Sequence, residues 1–285
     1  NLVTSDLNRS LLYSSYSMNF DASSGDKITG TGALISGNDS RSFSLWYKTT
    51  TTTPQIPFSL GSPTDQTNGA QFAYCINRSS TTNAAIFGKN SAYDTSVFTV
   101  PNTSDGEWHH LLVTYDQSSL KVYLDGNLEA TPALPSTSYI TSAGFTIGGW
   151  TMVGNRLFNG KISNVSVWNS ALSENEILTI YNGGAPNDIS SLSPVSWWSL
   201  SGDSYYNGSN WICPDLSTNS NNGTSANMDA TNLVGNAPGS TSNGTGTNMN
   251  IPGNLEGNAP NSDKNAYSVN MVATNRDTSV PDISS

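Results

Sequence analysis

The chain has 285 residues, of which only 11% are charged, and its formal net charge is −10. Soluble domains average roughly 25% charged residues; here Ser, Thr, Asn and Gly replace the missing charge, which disfavours helices and favours an all-β protein. An acidic chain without clustered Lys or Arg is a poor candidate for binding nucleic acid. No apolar run approaches the roughly 18 residues that span a bilayer, and residues 1–10 lack the basic and apolar regions of a signal peptide, so we expect a soluble mature chain.

Residues 16–182 read as short strands separated by turn residues. Asp125-Gly126-Asn127 predicts a tight hairpin turn, because such a turn needs residues that tolerate positive φ. The imperfect alternation of apolar residues over 161–168 predicts a bulge or a strand end. One helix is predicted over 173–181, where Ser173 and Glu176 fit a capping box. The predicted strands cover residues 16–20, 43–48, 72–77, 84–87, 109–115, 120–124, 145–149 and 160–168.

Beyond Pro186 the chain becomes rich in Asn, Gly and Ser. We therefore divide it into an N-terminal arm (1–15), a sandwich (16–186) and a partly irregular C-terminal extension (187–285). The aromatic segment 195–200 (VSWWSL) predicts a docked strand within this extension. The phrases at 1–3 (NLV) and 16–19 (YSMN) return at 232–234 (NLV) and 267–270 (YSVN) with a different spacing, so repetition and chance both remain open.

Residues 105–129 (DGEWHHLLVTYDQSSLKVYLDGNLE) resemble the signature hairpin of laminin G-like, concanavalin A-like jelly-roll domains. Three further segments resemble this family in the expected order: the opening strand at 16–28, the next strand at 41–47, and the closing strand with its short helix at 158–176. The resemblance implies an all-β jelly-roll sandwich.

The segment from VSWWSL to NNGT resembles one that precedes the opening strand in many of these proteins, whereas here it follows the closing helix. It either begins a second, incomplete unit or supplies a strand to the first sandwich in permuted order; donation to a neighbouring subunit is a third arrangement. The Asn-rich style and the phrase AYSVNMVATNRDTSVPD resemble laminin G-like proteins predicted in marine bacteriophages, which implies a virion surface protein such as a head decoration or fibre component.

Glucanases of this fold need paired carboxylates on one strand, and the sequence lacks the usual ExDxxE spacing, so we predict no catalytic residues and no enzyme activity. His109 and His110 point to opposite faces of a strand and cannot easily share a metal, and adjacent histidines recur in the family as a structural feature. Cys75 and Cys213 either pair in one disulfide or stay as buried thiols.

Calcium is the cofactor to consider, since hard oxygen ligands on sandwich loops bind it. Pentraxin-like relatives place such ligands before the closing strand, but residues 148–160 contain no carboxylate. Asp21, Asp26 and Asp94 remain as loop carboxylates that solvated turns explain as well. We therefore predict no cofactor and no metal site.

Sugar binding needs an exposed aromatic face flanked by amide and guanidinium groups. Trp150 with Asn155 and Arg156 offers this combination, with Tyr93, Asp94 and Asn77 on neighbouring loops. The alternative for Trp150 is to cover the core edge or to contact the C-terminal extension. We expect core positions for Trp46, Trp108 and Trp168, and expect one of Trp197 and Trp198 in the core with the other free for a contact.

Together these features predict a non-enzymatic virion surface protein, located on the virion or outside the cell, with weak multivalent attachment to cell-surface glycans. Expected partners are those glycans and other virion subunits contacted through the C-terminal extension, in a multicopy or homo-oligomeric assembly without nucleic acid or membrane insertion. One alternative is a structural cement or filament-forming subunit that binds no sugar. The other is a secreted bacterial adhesin.

Overall fold

The computed structural model describes residues 16–32, 34–35, 37–61, 71–88, 94–134, 144–150, 156–239, 255–256 and 268–269. The chain divides into two compact units, residues 1–239 and residues 240–285. In the first unit two antiparallel sheets enclose one hydrophobic core, and this confirms the predicted all-β sandwich. The proposed N-terminal arm, residues 1–15, lies outside the described residues. No helix in the described part of the chain is long and apolar enough to cross a membrane.

The described strands are numbered here along the chain. They are β1 Ser17–Phe20, β2 Lys27–Gly30, β3 Arg41–Lys48, β4 Gln55–Gly61, β5 Gln71–Ile76, β6 Asn83–Gly88, β7 Asp94–Thr99, β8 Trp108–Tyr115, β9 Leu120–Leu124, β10 Asn127–Ala130, β11 Phe145–Ile147, β12 Gly160–Trp168, β13 Ser196–Trp198, β14 Tyr205–Tyr206, β15 Trp211–Cys213, β16 Gly223–Ala226, β17 Leu233–Val234, β18 Leu255–Glu256 and β19 Ser268–Val269.

The first sheet has the order β10-β9-β8-β3-β12-β1-β17, with β13 also paired to β12. The second has the order β14-β15-β16-β2-β11-β4-β5-β6-β7. Helix α1, Glu174–Tyr181, packs on the outer face of the first sheet through Ile177 and Ile180. It begins with the predicted capping box, in which Ser173 and Glu176 bond each other's backbone N–H groups.

The alternation of side chains along the strands determines which residues face the core. In β5, Phe72, Tyr74 and Ile76 face the space between the sheets, whereas Ala73 and Cys75 face outward. Successive side chains of a strand point to opposite faces, so both faces of this strand are defined by its sequence. The aromatic contact between Phe43 of β3 and Phe58 of β4, with ring centroids 5.3 Å apart, joins the two sheets across the core.

The closing strand β12 contains the predicted bulge. Its register against β3 shifts between Ser163 and Ser166, and Asn164 between them has a φ of +48°. On the other edge of β12, β1 pairs with residues 160–162 and β13 pairs with residues 165–167. Two short strands from distant parts of the chain therefore share this edge and meet at the bulge.

The C-terminal extension completes the same sandwich. β13 lies within the predicted docked segment, β16 pairs with β2, and β17 pairs with β1. This is the permuted arrangement, and the first compact unit extends to residue 239. Trp198 lies between the sheets and Trp197 lies beneath α1, so the expectation that one of them is free was wrong.

The Asp215 carboxylate ties this extension to itself. Its Oδ1 accepts hydrogen bonds from the backbone N–H groups of Trp197 (2.9 Å) and Ser217 (3.0 Å). Its Oδ2 accepts from Ser196 Oγ (3.0 Å), Ser217 Oγ (2.9 Å) and the N–H of Asn221 (2.9 Å). One buried carboxylate thus holds β13 against the loop that leads to β16.

The second unit repeats the pairing of β1 with β17. Leu233 pairs with Met18 and Val234 with Ser17, while in the second unit Leu255 pairs with Val269 and Glu256 with Ser268. The sequences agree: residues 232–238 read NLVGNAP and residues 254–260 read NLEGNAP. Of the echo noted in the sequence, residues 16–19 and 267–270 each contribute a strand to such a pair, whereas residues 1–3 lie outside the described residues.

We predict that Asp215→Asn lowers the free energy of unfolding by about 1.5–3 kcal/mol, because an amide turns an NH₂ group toward donors that now bond a carboxylate oxygen. Denaturant unfolding of the full chain measures this. The matched control is Glu107→Gln, which removes the same charge from a side chain that is 78% exposed and lies 3.9 Å from Lys48 Nζ. That variant should lose less than about 0.5 kcal/mol, and equal losses in the two variants would refute the role of Asp215.

Candidate functional site

The outer face of the second sheet carries a compact apolar cluster. Small residues of β5 and β6 form its floor, and the rings of Phe87 and Trp150 lie together on it with centroids 5.0 Å apart. Phe87 belongs to β6, and Trp150 follows β11. All members are buried: Ile56, Ala73, Cys75, Ala85, Phe87 and Trp150.

Two guanidinium groups flank the Phe87 ring. The Cζ atom of Arg156 lies 4.9 Å from the ring centroid and that of Arg78 lies 5.8 Å from it, both within cation–π range. The backbone fixes both residues, since Arg78 N–H donates to Asn83 O (2.9 Å) and Arg156 O accepts from Ile56 N–H (3.1 Å). Strands β4, β5 and β6 thus place both guanidinium groups near one aromatic ring. We call these two arginines with Phe87 and Trp150 the arginine–aromatic face.

Among the described residues, three buried donor atoms of the arginine–aromatic face find no hydrogen-bond partner: Arg78 Nε, Arg156 Nη1 and Trp150 Nε1. Neither guanidinium forms an ion pair with a carboxylate of the described residues, and both arginines are partly exposed. A buried donor without an acceptor costs free energy. This face is therefore chemically complementary to a group that accepts hydrogen bonds.

Both cysteines are free and buried, which answers the question of their pairing. Burial raises the pKa of the Cys75 thiol to about 11, while the positive charges of Arg156 and Arg78 act in the opposite direction. Burial likewise raises the pKa of Cys213 to about 12. Both thiols are protonated at neutral pH, so neither is an activated nucleophile.

The structure places Trp150 and Arg156 against the Phe87 ring. The prediction of an exposed Trp150 face is corrected, because the ring is only 3% exposed and packs on Phe87. Asn77 is 2% exposed; its Nδ2 donates to Thr51 O (2.8 Å) and Ser104 Oγ (2.7 Å), so its amide holds the end of β5.

The structure describes the other predicted sugar-binding residues only in part. Tyr93 and Asn155 lie outside the described residues, and of Asp94 only the backbone, at the start of β7, is described. Sequence reasoning missed Phe87 and Arg78. The alternation of β6 carried the signal for Phe87, since Ala84 and Ile86 face the core and Phe87 must therefore face outward.

The adjacent histidines have structural roles. His110 is fully buried; its Nε2 lies 2.7 Å from Ser44 Oγ, and burial lowers its pKa to about 4. Each ring nitrogen of His109 meets a carboxylate oxygen, Nδ1 at 2.8 Å from Asp125 Oδ2 and Nε2 at 3.1 Å from Asp105 Oδ1. Burial lowers the pKa of His109, but the hydrogen bonds and charges of these carboxylates outweigh it and raise the pKa above 6.5.

The loop carboxylates named as calcium candidates bond neighbouring groups. Asp21 Oδ1 accepts from the N–H (2.7 Å) and the Oγ (2.6 Å) of Ser23. Asp26 Oδ2 accepts from Asp21 N–H (2.9 Å) and Asn232 Nδ2 (3.0 Å). Among the residues that the structure describes, no group of three or more His, Cys, Asp or Glu could hold a metal ion.

A family model described as the concanavalin A-like lectin/glucanases superfamily matches residues 21–178, which is more than half of the chain. The chain belongs to this superfamily. No curated protein sequence matches it.

Solved structures with the same fold include a Bacteroides ovatus protein proposed to bind carbohydrate, with 19% identity and a TM-score of 0.54. The match covers 78% of this chain and 60% of that protein. A heptameric pentraxin of Limulus polyphemus shares 14% identity over 59% of this chain and 82% of its own, with a TM-score of 0.47. The CBM40 domain of a Ruminococcus gnavus IT-sialidase shares 19% identity over 58% of this chain and 96% of its own, with a TM-score of 0.45.

We predict that the two histidines give the chain its highest stability near pH 6.5. His110 titrates lower in the folded chain than in the unfolded chain, so stability is lost as the pH falls from 6.5 toward 4. His109 has a raised folded pKa, so its contribution is complete below pH 6.5 and is lost as the pH rises through that raised value.

Denaturant unfolding at steps from about pH 5 to about pH 8.5 measures both slopes. His109→Gln should flatten the alkaline slope, and His110→Gln should flatten the slope below pH 6.5. An alkaline slope that is unchanged in His109→Gln would contradict this assignment.

Proposed function

We propose that this chain is a non-catalytic carbohydrate-binding module and that the arginine–aromatic face is its binding surface. The observation that carries the proposal is the placement of two partly exposed guanidinium groups, those of Arg78 and Arg156, beside the Phe87–Trp150 ring pair. Guanidinium N–H groups donate to sugar oxygens, and the aromatic rings hold these donors in a fixed orientation.

Membership of a lectin and glucanase superfamily supports this proposal. Carbohydrate binding is also the role proposed for the Bacteroides ovatus protein, and at 19% identity that likeness extends to the fold. The chain spans 60% of the length of that protein, so the role is carried over here only as part of the proposal.

The geometry of the titratable groups supports a binding role over a catalytic one. His110 contacts Ser44 in the interior, and both nitrogens of His109 are occupied by carboxylates. Glu176 accepts hydrogen bonds from Ser173 at the start of α1. These side chains serve the fold, and a binding module needs no general acid, nucleophile or metal.

From the sequence we further propose a location for this module. Many copies on a virion surface attach weakly to cell-surface glycans, and the C-terminal extension contacts other subunits. Multiple copies would raise avidity without any new contact in the single site.

The location of the site is tested with a pair of matched variants. Val97 of β7 is 50% exposed and pairs with Ala85, so both side chains share the outer face of the second sheet. Leu128 of β10, on the first sheet, is 47% exposed. We predict that Val97→Tyr, which crowds the site, weakens glycan binding about tenfold, a change of about 1.4 kcal/mol, and that Leu128→Tyr leaves it unchanged.

The assay is a glycan array of neutral and acidic sugars, followed by calorimetry on the best ligand, with and without a chelator. Chelation should not alter the affinity, because the proposed contacts involve no metal. Absence of binding to every glycan would reject the proposed function. Equal losses in the two variants would reject this surface as the site.

A further inference from the structure

Positive charge is scarce in this chain, yet two cations meet at one ring. There are 11 Lys and Arg residues against 21 Asp and Glu residues. Arg78 and Arg156 both lie within 6 Å of the Phe87 centroid. Like charges that share a partly desolvated site repel each other more than they would in water. The fold therefore places two positive charges within 6 Å of one ring centroid, where a bound anion would stabilise both.

Another buried arginine shows how this fold satisfies a cation that serves structure. Arg41 also stacks on aromatic rings, those of Phe72 and Tyr115. Its Nε donates to Asp39 O (2.9 Å) and its Nη2 donates to Gly37 O (3.1 Å), while its Nη1 has no partner among the described residues. Arg41 thus has two backbone acceptors beside one unpartnered nitrogen. No side-chain hydrogen bond of this kind joins Arg78 or Arg156 to a carbonyl of the described residues, and Arg78 Nε and Arg156 Nη1 have no acceptor there.

The chemistry of the arginine–aromatic face distinguishes between kinds of sugar. Hydroxyl groups of a neutral sugar could accept from Arg78 Nε and Arg156 Nη1 but would leave two positive charges uncompensated. A carboxylate accepts from the planar fork of a guanidinium and also supplies the opposing charge.

We infer that the glycan bound here is acidic, and that Arg78 and Arg156 together bind the carboxylate of one of its sugar residues. This inference rests on the proposed function and names the ligand class of the same face. The rest of the glycan lies over the outer face of the second sheet. The overall charge of −10 repels anions at long range, so selectivity comes from these local contacts.

The test compares acids with their own methyl esters. Calorimetry measures the affinity of the full chain for three acids and for the methyl ester of each: oligogalacturonate, oligomannuronate and sialyllactose. A sulfated galactan oligosaccharide without carboxylates forms a separate arm. Esterification keeps every hydroxyl and removes the charge, so at least one acid should bind about tenfold more tightly than its ester. Raising the salt concentration should lower the affinity for the acid more than the affinity for the ester.

The variants Arg78→Gln and Arg156→Gln keep hydrogen-bonding capacity and remove the charge. Each should lower the affinity for the acid about tenfold and change the affinity for the ester by less than about twofold. Lys121→Gln, which removes one charge from β9 of the first sheet, is the control and should leave both affinities unchanged. Thermal unfolding of each variant confirms that it is folded before binding is measured.

Each other outcome overturns a defined part of the account. Equal affinity for acid and ester rejects the acidic class and leaves glycan binding standing. If the chain prefers the sulfated oligosaccharide and both arginine variants weaken that binding, the bound group is a sulfate and the inferred carboxylate is wrong. Binding of acids that survives both arginine variants places the acidic site elsewhere. Failure to bind any sugar, charged or neutral, rejects the proposed function itself.

Discussion

The free edge of the closing strand is the constraint on which the rest of the sandwich depends. β12 is nine residues long, but β1 covers only residues 160–162 of its edge. An unpaired strand edge in the middle of a sheet would leave buried backbone groups without partners. β13 covers residues 165–167, and Asn164, with its left-handed φ, makes the bulge at which the two short strands meet. The C-terminal extension is therefore an integral part of the sandwich.

The same constraint separates the two edges of the second sheet. After β13, the chain forms β14, β15 and β16 in turn, and β16 lies next to β2 with β15 and β14 beyond it at that edge. Strands β4 to β7 at the opposite edge remain available for the arginine–aromatic face. In the second unit, β18 pairs with β19 in the register of the β17 and β1 pair.

Local patterns predicted those elements whose sequence signals agree with one another. The β9–β10 hairpin at Asp125 and Gly126, the bulge in β12 and the capped helix all follow from turn residues, alternation and caps within a short stretch. β4 was missed because Pro57 interrupts an otherwise suitable strand, and β7 because its edge position tolerates polar residues. For Trp150 the sequence left a covered and an exposed ring as alternatives, and local sequence could not decide between them because Phe87, which packs on it, comes from a strand more than sixty residues earlier.

The central claim is that residues 196–239 belong to the same cooperative sandwich as residues 16–182, and hydrogen exchange of the full chain under native conditions tests it most directly. The account predicts that peptides from β13, β15 and β16 are protected to the same free energy as those from β3 and β8 and open together with them. Rapid exchange throughout 196–239, with β3 and β8 still protected, would contradict the account.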